Sequence, residues 1–318
     1  MATMINMRQA YGKALVELGK AYPNVVALSG DVSNSDYSFM FQEAFPDRFY
    51  NVGIAEQALV DVAAGLAYAG KIPFANTFAF LFATRALEMV RTHLCYGGAK
   101  VKLMATYAGI SDSFDGPTHQ AISDIAIMRS LPRMTVVIPG DTLALAKLLP
   151  QVAEWDGPVY FRMNRNEVPL LFDEVTYQPE IGKAIVLQPG SDLTLIGTGL
   201  MVSRCLEAAV ILAKEGLSAG VMEVHTIKPL DSGKILEAAQ ETGALVTAEE
   251  ANILGGLGGA IAEVVTEACP VPVVRVGIAD RFTESGPYLD LLNRYGLSVE
   301  NVVQAAHKAL ALKEKRHK

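Results

Sequence analysis

Short runs of β-branched and other apolar residues alternate with stretches of helical periodicity along the whole chain, the pattern of a parallel sheet layered with helices. Met4 to Lys20 places Met7, Tyr11, Leu15 and Leu18 on one face and charges on the other, which predicts a first amphipathic helix. Val25 to Leu28 reads as a buried strand ending in Ser29-Gly30-Asp31. The polar loop Ser33-Asn34-Ser35-Asp36 follows at its carboxyl end, where open α/β sheets place their ligands. Further strands are expected at Phe49 to Val52, Lys71 to Ala75, Val101 to Tyr107, Thr135 to Ile138 and Pro158 to Arg162. The small apolar residues Ala58 to Ala69 predict a long helix among them.

The pattern changes near Pro169. Residues 169–190 carry Pro169, Pro179 and Pro189 and no long helical pattern, so they are expected to link two units. Strands at Leu193 to Ile196, Ala219 to Val224, Ala244 to Ala248 and Val271 to Val276 alternate with four helices in the second unit. The expected architecture is two α/β domains, residues 1–168 and 191–318, each with a mainly parallel sheet flanked by helices.

Composition narrows the function classes. A net charge of −7 and a pI near 5.3 argue against nucleic acid or an anionic membrane as a partner. The most apolar stretch, Ile72 to Val90, is interrupted by Pro73, Asn76, Arg85 and Glu88, so it is not expected to span a bilayer. Cys95, Cys205 and Cys269 are widely spaced among apolar neighbours, which reads as reduced packing residues of a cytoplasmic protein. The basic tail Lys313 to Lys318 reads as a solvated helix end.

Several stretches could carry chemistry. In Tyr50-Asn51-Val52-Gly53-Ile54-Ala55-Glu56-Gln57, a turn-bounded segment delivers Glu56 to the head of the Ala58 helix. A carboxylate in the first turn faces the positive end of the helix dipole, and a lone Glu there would be ordinary. Phe78, Phe80 and Phe82 alternate just before Arg85; core packing is the common meaning of such a run, and a wall for a flat heteroaromatic ligand is the other. In Asp115-Gly116-Pro117-Thr118-His119-Gln120 the Gly-Pro turn fixes a carboxylate and an imidazole so that they can converge on a polyol. Asp115 as a helix cap is the alternative. Arg162 ends a strand and could hold a phosphate, or make a surface ion pair. Gly255-Gly256-Leu257-Gly258-Gly259 loosely resembles a phosphate-binding turn, although close helix packing explains it as well. His225 to Lys228 reads as a structural loop.

In this order the motifs resemble the C-terminal half of transketolases, over essentially the whole chain. The resemblance implies a pyrimidine-binding domain followed by a transketolase C-terminal domain, with thiamine diphosphate as cofactor. It implies that Glu56 is catalytic, bonding N1′ of the aminopyrimidine and favouring its imino tautomer. Phe82, with Phe78 or Phe80 second, would stack on the ring, and Asp31 and Arg85 would also contact the cofactor. Asp115 and the catalytic His119 would meet sugar hydroxyls; Arg8, Ser35 and Arg162 match phosphate-binding positions. Tyr107 stands where many transketolases have a substrate-binding His, and Ala251 replaces another, which affects sugar specificity. The family holds the diphosphate through a metal on a Gly-Asp-Gly segment, and this chain has only Gly30-Asp31-Val32 and Gly140-Asp141-Thr142. The expectation is therefore a split transketolase, a dimer of heterodimers, whose separate diphosphate-binding subunit carries Mg²⁺ or Ca²⁺ while this chain carries no metal. The β subunit of a 2-oxoacid dehydrogenase, a deoxyxylulose-phosphate-synthase-like enzyme and a non-catalytic stabilising subunit are the other readings.

Overall fold

A computed structural model of the chain describes residues 3–316. Its strands in chain order are β1 (Met4–Asn6), β2 (Val25–Ser29), β3 (Phe49–Asn51), β4 (Ile72–Phe78), β5 (Lys102–Thr106), β6 (Thr135–Val137) and β7 (Val159–Arg162). They continue as β8 (Glu167–Pro169), β9 (Ile185–Gln188), β10 (Leu193–Gly197), β11 (Ala219–Glu223), β12 (Thr226–Lys228), β13 (Leu245–Asn252) and β14 (Val273–Ile278).

The first sheet has the order β12-β6-β7-β5-β4-β2-β3, and every pair from β6 to β3 is parallel. The second has the order β14-β13-β10-β11-β9, parallel except for the edge strand β9. β2, β5 and β10 are buried along their whole length, as strands covered by helices on both faces must be. Two α/β layers are thus what the alternating pattern builds.

Three pairings are not visible in the hydrophobic pattern. Residues 167–169 fold back onto the N-terminus as β8, antiparallel to β1. Part of the expected linker, β9, joins the second sheet as an edge. The loop containing His225 supplies β12, which leaves its own unit and closes the edge of the first sheet beside β6. Lys228 fixes it there by donating from Nζ to the carbonyls of Arg129 and Leu131, at 3.0 and 2.6 Å. The apolar core is continuous across the two units: Val136 clusters with Met222 and Val224, and Val137 with Val202.

The helix Glu56–Tyr68 starts at the expected carboxylate. Leu59, Val60, Ala63 and Ala64 recur at helical spacing and pack toward β4 and β2, while Val62 and Tyr68 are exposed. The glycine cluster has a structural explanation. Glu249 accepts from the backbone N–H groups of Leu257 and Gly258 at 2.8 and 2.9 Å, so the helix Leu257–Ala268 already has an anion at its N-terminus. A Cβ on Gly256 would lie 1.9 Å from that carboxylate, which is why glycine stands there. In the basic tail, Lys313 is tied down by the carbonyls of Asp192 and Thr242, and residues 317–318 lie outside the described part. Among the described residues no helix is long and apolar enough to cross a membrane.

Candidate active site

A cleft of about 440 Å³ opens at the carboxyl ends of β2 and β4, beside the start of the Glu56 helix. This is the edge of a parallel sheet where strand ends leave backbone groups and loops free for a ligand. Glu56 forms its foot. Its side chain is 1% exposed, yet it lines the cleft, and Arg85 Nη1 donates to Oε2 at 3.0 Å. Arg85 is itself half-exposed, so the pair runs from the protein interior to the cleft wall.

Asp31 stands on the next wall. It adopts a left-handed backbone conformation (φ 65°) at the end of β2, and Asn51 Nδ2 donates to its Oδ1 at 2.8 Å. The Asn51 side-chain oxygen accepts from Gly53 N at 2.9 Å, which binds the Asp31 loop to the turn that leads into Glu56.

The aromatic wall corrects one expectation. β4 ends at Phe78, and residues Ala79–Ala83 turn into a short helix. Strand alternation therefore stops at Phe78, and two helical residues rotate a side chain by roughly 200°. Phe78 and Phe80 line the cleft, while Phe82 is wholly buried in the core against the back of the first sheet. The rings presented to the cleft are those of Phe78 and Phe80, not Phe82.

His119 closes the third side. Its ring lies 5.2 Å from Phe80 and 6.4 Å from Phe78, and its Nδ1 is 3.0 Å from Thr118 Oγ1. The Gly-Pro turn before it is docked on the second unit. Gly116 (φ 79°) leaves no room for a side chain, since a Cβ would meet Ser285 Oγ at 2.2 Å, and Gly286 N donates to the Ser113 carbonyl at 3.0 Å. Asp115 caps no helix: the next one begins at Asp124, and the Asp115 carboxylate accepts from Arg165 at 3.4 Å.

Beyond His119, Tyr107 follows β5 in a left-handed conformation (φ 62°) that a bulky residue adopts only when its surroundings demand it. Its ring touches Phe78, with centroids 4.4 Å apart, and has the guanidinium of Arg8 at 5.4 Å and that of Arg165 at 4.8 Å. Arg8 donates to the Tyr107 hydroxyl at 3.1 Å, to the Ser35 carbonyl at 2.6 Å and to the Arg165 carbonyl at 2.8 Å. Ser35 thus meets Arg8 through its backbone.

Arg162 is the second correction. It is 4% exposed and forks onto Asp124, at 2.7 and 3.2 Å, while also donating to the carbonyls of Ala121 and Glu250. It ties the first sheet to β13 and does not line the cleft that holds Glu56. The guanidinium nearer the cleft is Arg165, three residues on, which lies over the Tyr107 ring that touches Phe78. The signal that could have found it is its place after the buried end of β7, in the polar string Asn164-Arg165-Asn166.

Together these side chains can do three things. A buried carboxylate beside an aromatic wall suits a flat nitrogen heterocycle with a ring nitrogen to be polarised. An imidazole and a carboxylate on one rigid turn suit a polyol, and paired guanidiniums around a tyrosine suit a polar or anionic terminus.

Comparison with known proteins finds matches to both units of the chain. The family model for the pyrimidine binding domain of transketolase matches residues 3–169, and that for the transketolase C-terminal domain matches residues 182–302. A Methanocaldococcus jannaschii protein provisionally named as a transketolase C-terminal section is 43% identical, over 94% of this chain and 94% of its own length. A 6-deoxy-6-sulfo-D-fructose transketolase subunit of Clostridium sp. is 39% identical over 98% of this chain and 96% of its own. A solved structure described as a split gene transketolase in an inactive beta4 tetramer superposes with a TM-score of 0.91 at 48% identity, covering 97% of this chain and 99% of that one.

Proposed function

The chain belongs to the transketolase family, and from that premise we propose that it is one subunit of a thiamine-diphosphate-dependent enzyme that moves a two-carbon ketol unit from a ketose to an aldose. The observation that carries the reading is the placing of Glu56: a carboxylate fixed at the foot of an aromatic-walled cleft, deep enough to be nearly dry and open on its ligand side.

That foot fits the aminopyrimidine of thiamine, with Glu56 for a ring nitrogen and Phe80 for the ring face. When bound, thiamine diphosphate supplies a carbon nucleophile that takes up and releases two-carbon units, which no side chain can do. The chain's own residues do the rest. Glu56 holds a proton at the pyrimidine nitrogen, and Arg85 donates to the Glu56 carboxylate from the solvent side at 3.0 Å. His119 and Asp115 orient sugar hydroxyls and can pass a proton to or from them. Arg8, Arg165 and Tyr107 receive the far end of the sugar.

The diphosphate, with its Mg²⁺ or Ca²⁺, is assigned to a separate partner subunit, because the Gly-Asp-Gly segment is absent from this sequence. Similarity at nearly full length to a split gene transketolase chain supports that division. Two such pairs would form a dimer of heterodimers.

The test is co-expression with a diphosphate-binding transketolase subunit, followed by assay over a panel of ketose donors. Two-carbon transfer that needs both chains and thiamine diphosphate is expected. A stable complex, loaded with cofactor, that transfers nothing from any ketose would reject the reading.

A further inference from the structure

Arg165 is not free to meet an anion with its full charge. Its Nη1 donates to Asp112 Oδ1 and, at 3.4 Å, to Asp115 Oδ2. Asp112 is completely buried, and its other oxygen, Oδ2, has no hydrogen-bond partner. An unpartnered carboxylate oxygen in the interior is costly and calls for an explanation. Here the charge faces the guanidinium that, like that of Arg8, lies over the Tyr107 ring. Two cations, Arg8 and Arg165, are thus matched by two carboxylates, Asp112 and Asp115, and a third, buried Asp36, lies close enough to Arg8 to feel its charge. A site that selects a phosphate dianion needs a surplus of positive charge; above pH 7, where Asp112 and Asp36, each raised to about 7 by burial, are ionised, this one has none.

We infer that Asp112 is a specificity-determining residue for the far end of the sugar: it neutralises Arg165, so the cleft mouth favours ketoses whose terminal group is uncharged or singly charged over those ending in a phosphate dianion. The inference rests on the proposed two-carbon transfer and specifies its substrate class. Asp112 acts through Arg165 and touches no substrate itself.

The test uses the reconstituted heteromer and compares kcat/KM for D-xylulose and D-xylulose 5-phosphate, in wild type, Asp112→Asn and Asp112→Ser. Assays run at pH 8.5, above the value of about 7 to which burial, and then the neighbouring Asp115, push the Asp112 carboxyl. Wild type is expected to use the free sugar at least as well as its phosphate. Asp112→Asn is expected to raise the phosphate-over-free ratio tenfold or more, mostly by lowering KM for the phosphate. A folded variant whose ratio is unchanged or falls overturns the assignment, because a carboxylate that merely orients Arg165 for phosphate predicts a fall. Calorimetric titration of wild-type and variant chains with inorganic phosphate gives an independent readout. Tighter binding by the variants supports the assignment, and equal or weaker binding overturns it. A wild-type heteromer that turns over neither sugar counts against the two-carbon transfer reading and leaves the phosphate titration as the test of Asp112.

Discussion

Arg85 Nη1 lies 3.0 Å from Glu56 Oε2, and the two side chains differ sharply in exposure, 49% for the arginine and 1% for the glutamate. The charge at the foot of the cleft is the buried one, and its counterion is the part that reaches solvent. Replacing Glu56 by Ala is expected to leave thermal unfolding nearly unchanged and to cut two-carbon transfer by three orders of magnitude or more, roughly 4 kcal/mol at ~1.4 kcal/mol per tenfold. Arg85→Ala should cost about tenfold in kcat, since Glu56 keeps its position but loses its partner. Steady-state kinetics of the heteromer check both, and full turnover by the Glu56 variant would remove the carboxylate from the mechanism.

Phe80 and Phe82 separate a ligand contact from a packing contact. Phe82→Ala opens a cavity in a closed core and is expected to destabilise the chain by about 3–5 kcal/mol. Phe80→Ala, at the cleft, should change stability little and weaken thiamine diphosphate binding by the heteromer. Denaturant unfolding paired with cofactor titration distinguishes them; equal destabilisation by both would contradict the assignment of the two faces.

Arg162 and Arg165 divide in the same way. Arg162→Met leaves Asp124 buried without its cation and is expected to cost about 3–5 kcal/mol in stability. Arg165→Met should fold normally and act on KM for the sugar. Chemical denaturation and kinetics on both variants decide it, and an Arg162 variant of native stability would refute the structural role.

Glu223 makes stability depend on pH. Its Oε2 meets the Tyr177 hydroxyl at 2.8 Å, Oε1 has no partner, and burial raises its carboxyl from the usual 4.5 to about 8. The folded state therefore holds a proton that the unfolded chain releases near pH 4.5. The neutral form's stability is fully present below that value and is lost as pH rises through about 8. Between pH 6 and 9 the melting temperature of the wild type should fall by several degrees relative to Glu223→Gln. Parallel curves for the two proteins would show that this carboxyl does not titrate in the fold.

The parts of the site legible in the sequence were those whose chemistry and local geometry coincide. Glu56 was recognisable because a small-residue helix begins at it, and His119 because a Gly-Pro turn fixes it. The misplaced residues fail for physical reasons. The Phe run changes period at Phe78, where strand becomes helix, and no residue type marks that switch. Arg162 and Arg165 are equally charged, and only burial by β13, far away in sequence, separates them. β12 escaped because its pairing partner, β6, lies some ninety residues earlier, beyond any local pattern.

That strand has a consequence for how the molecule can move and be rebuilt. Because Thr226–Lys228 is woven into the neighbouring layer, the two halves are latched together like hook and eye, and neither can swing open without unpicking the other. Any relative motion of the two layers would have to part this short ladder first, so the pair would travel as one cassette into whatever assembly the chain joins.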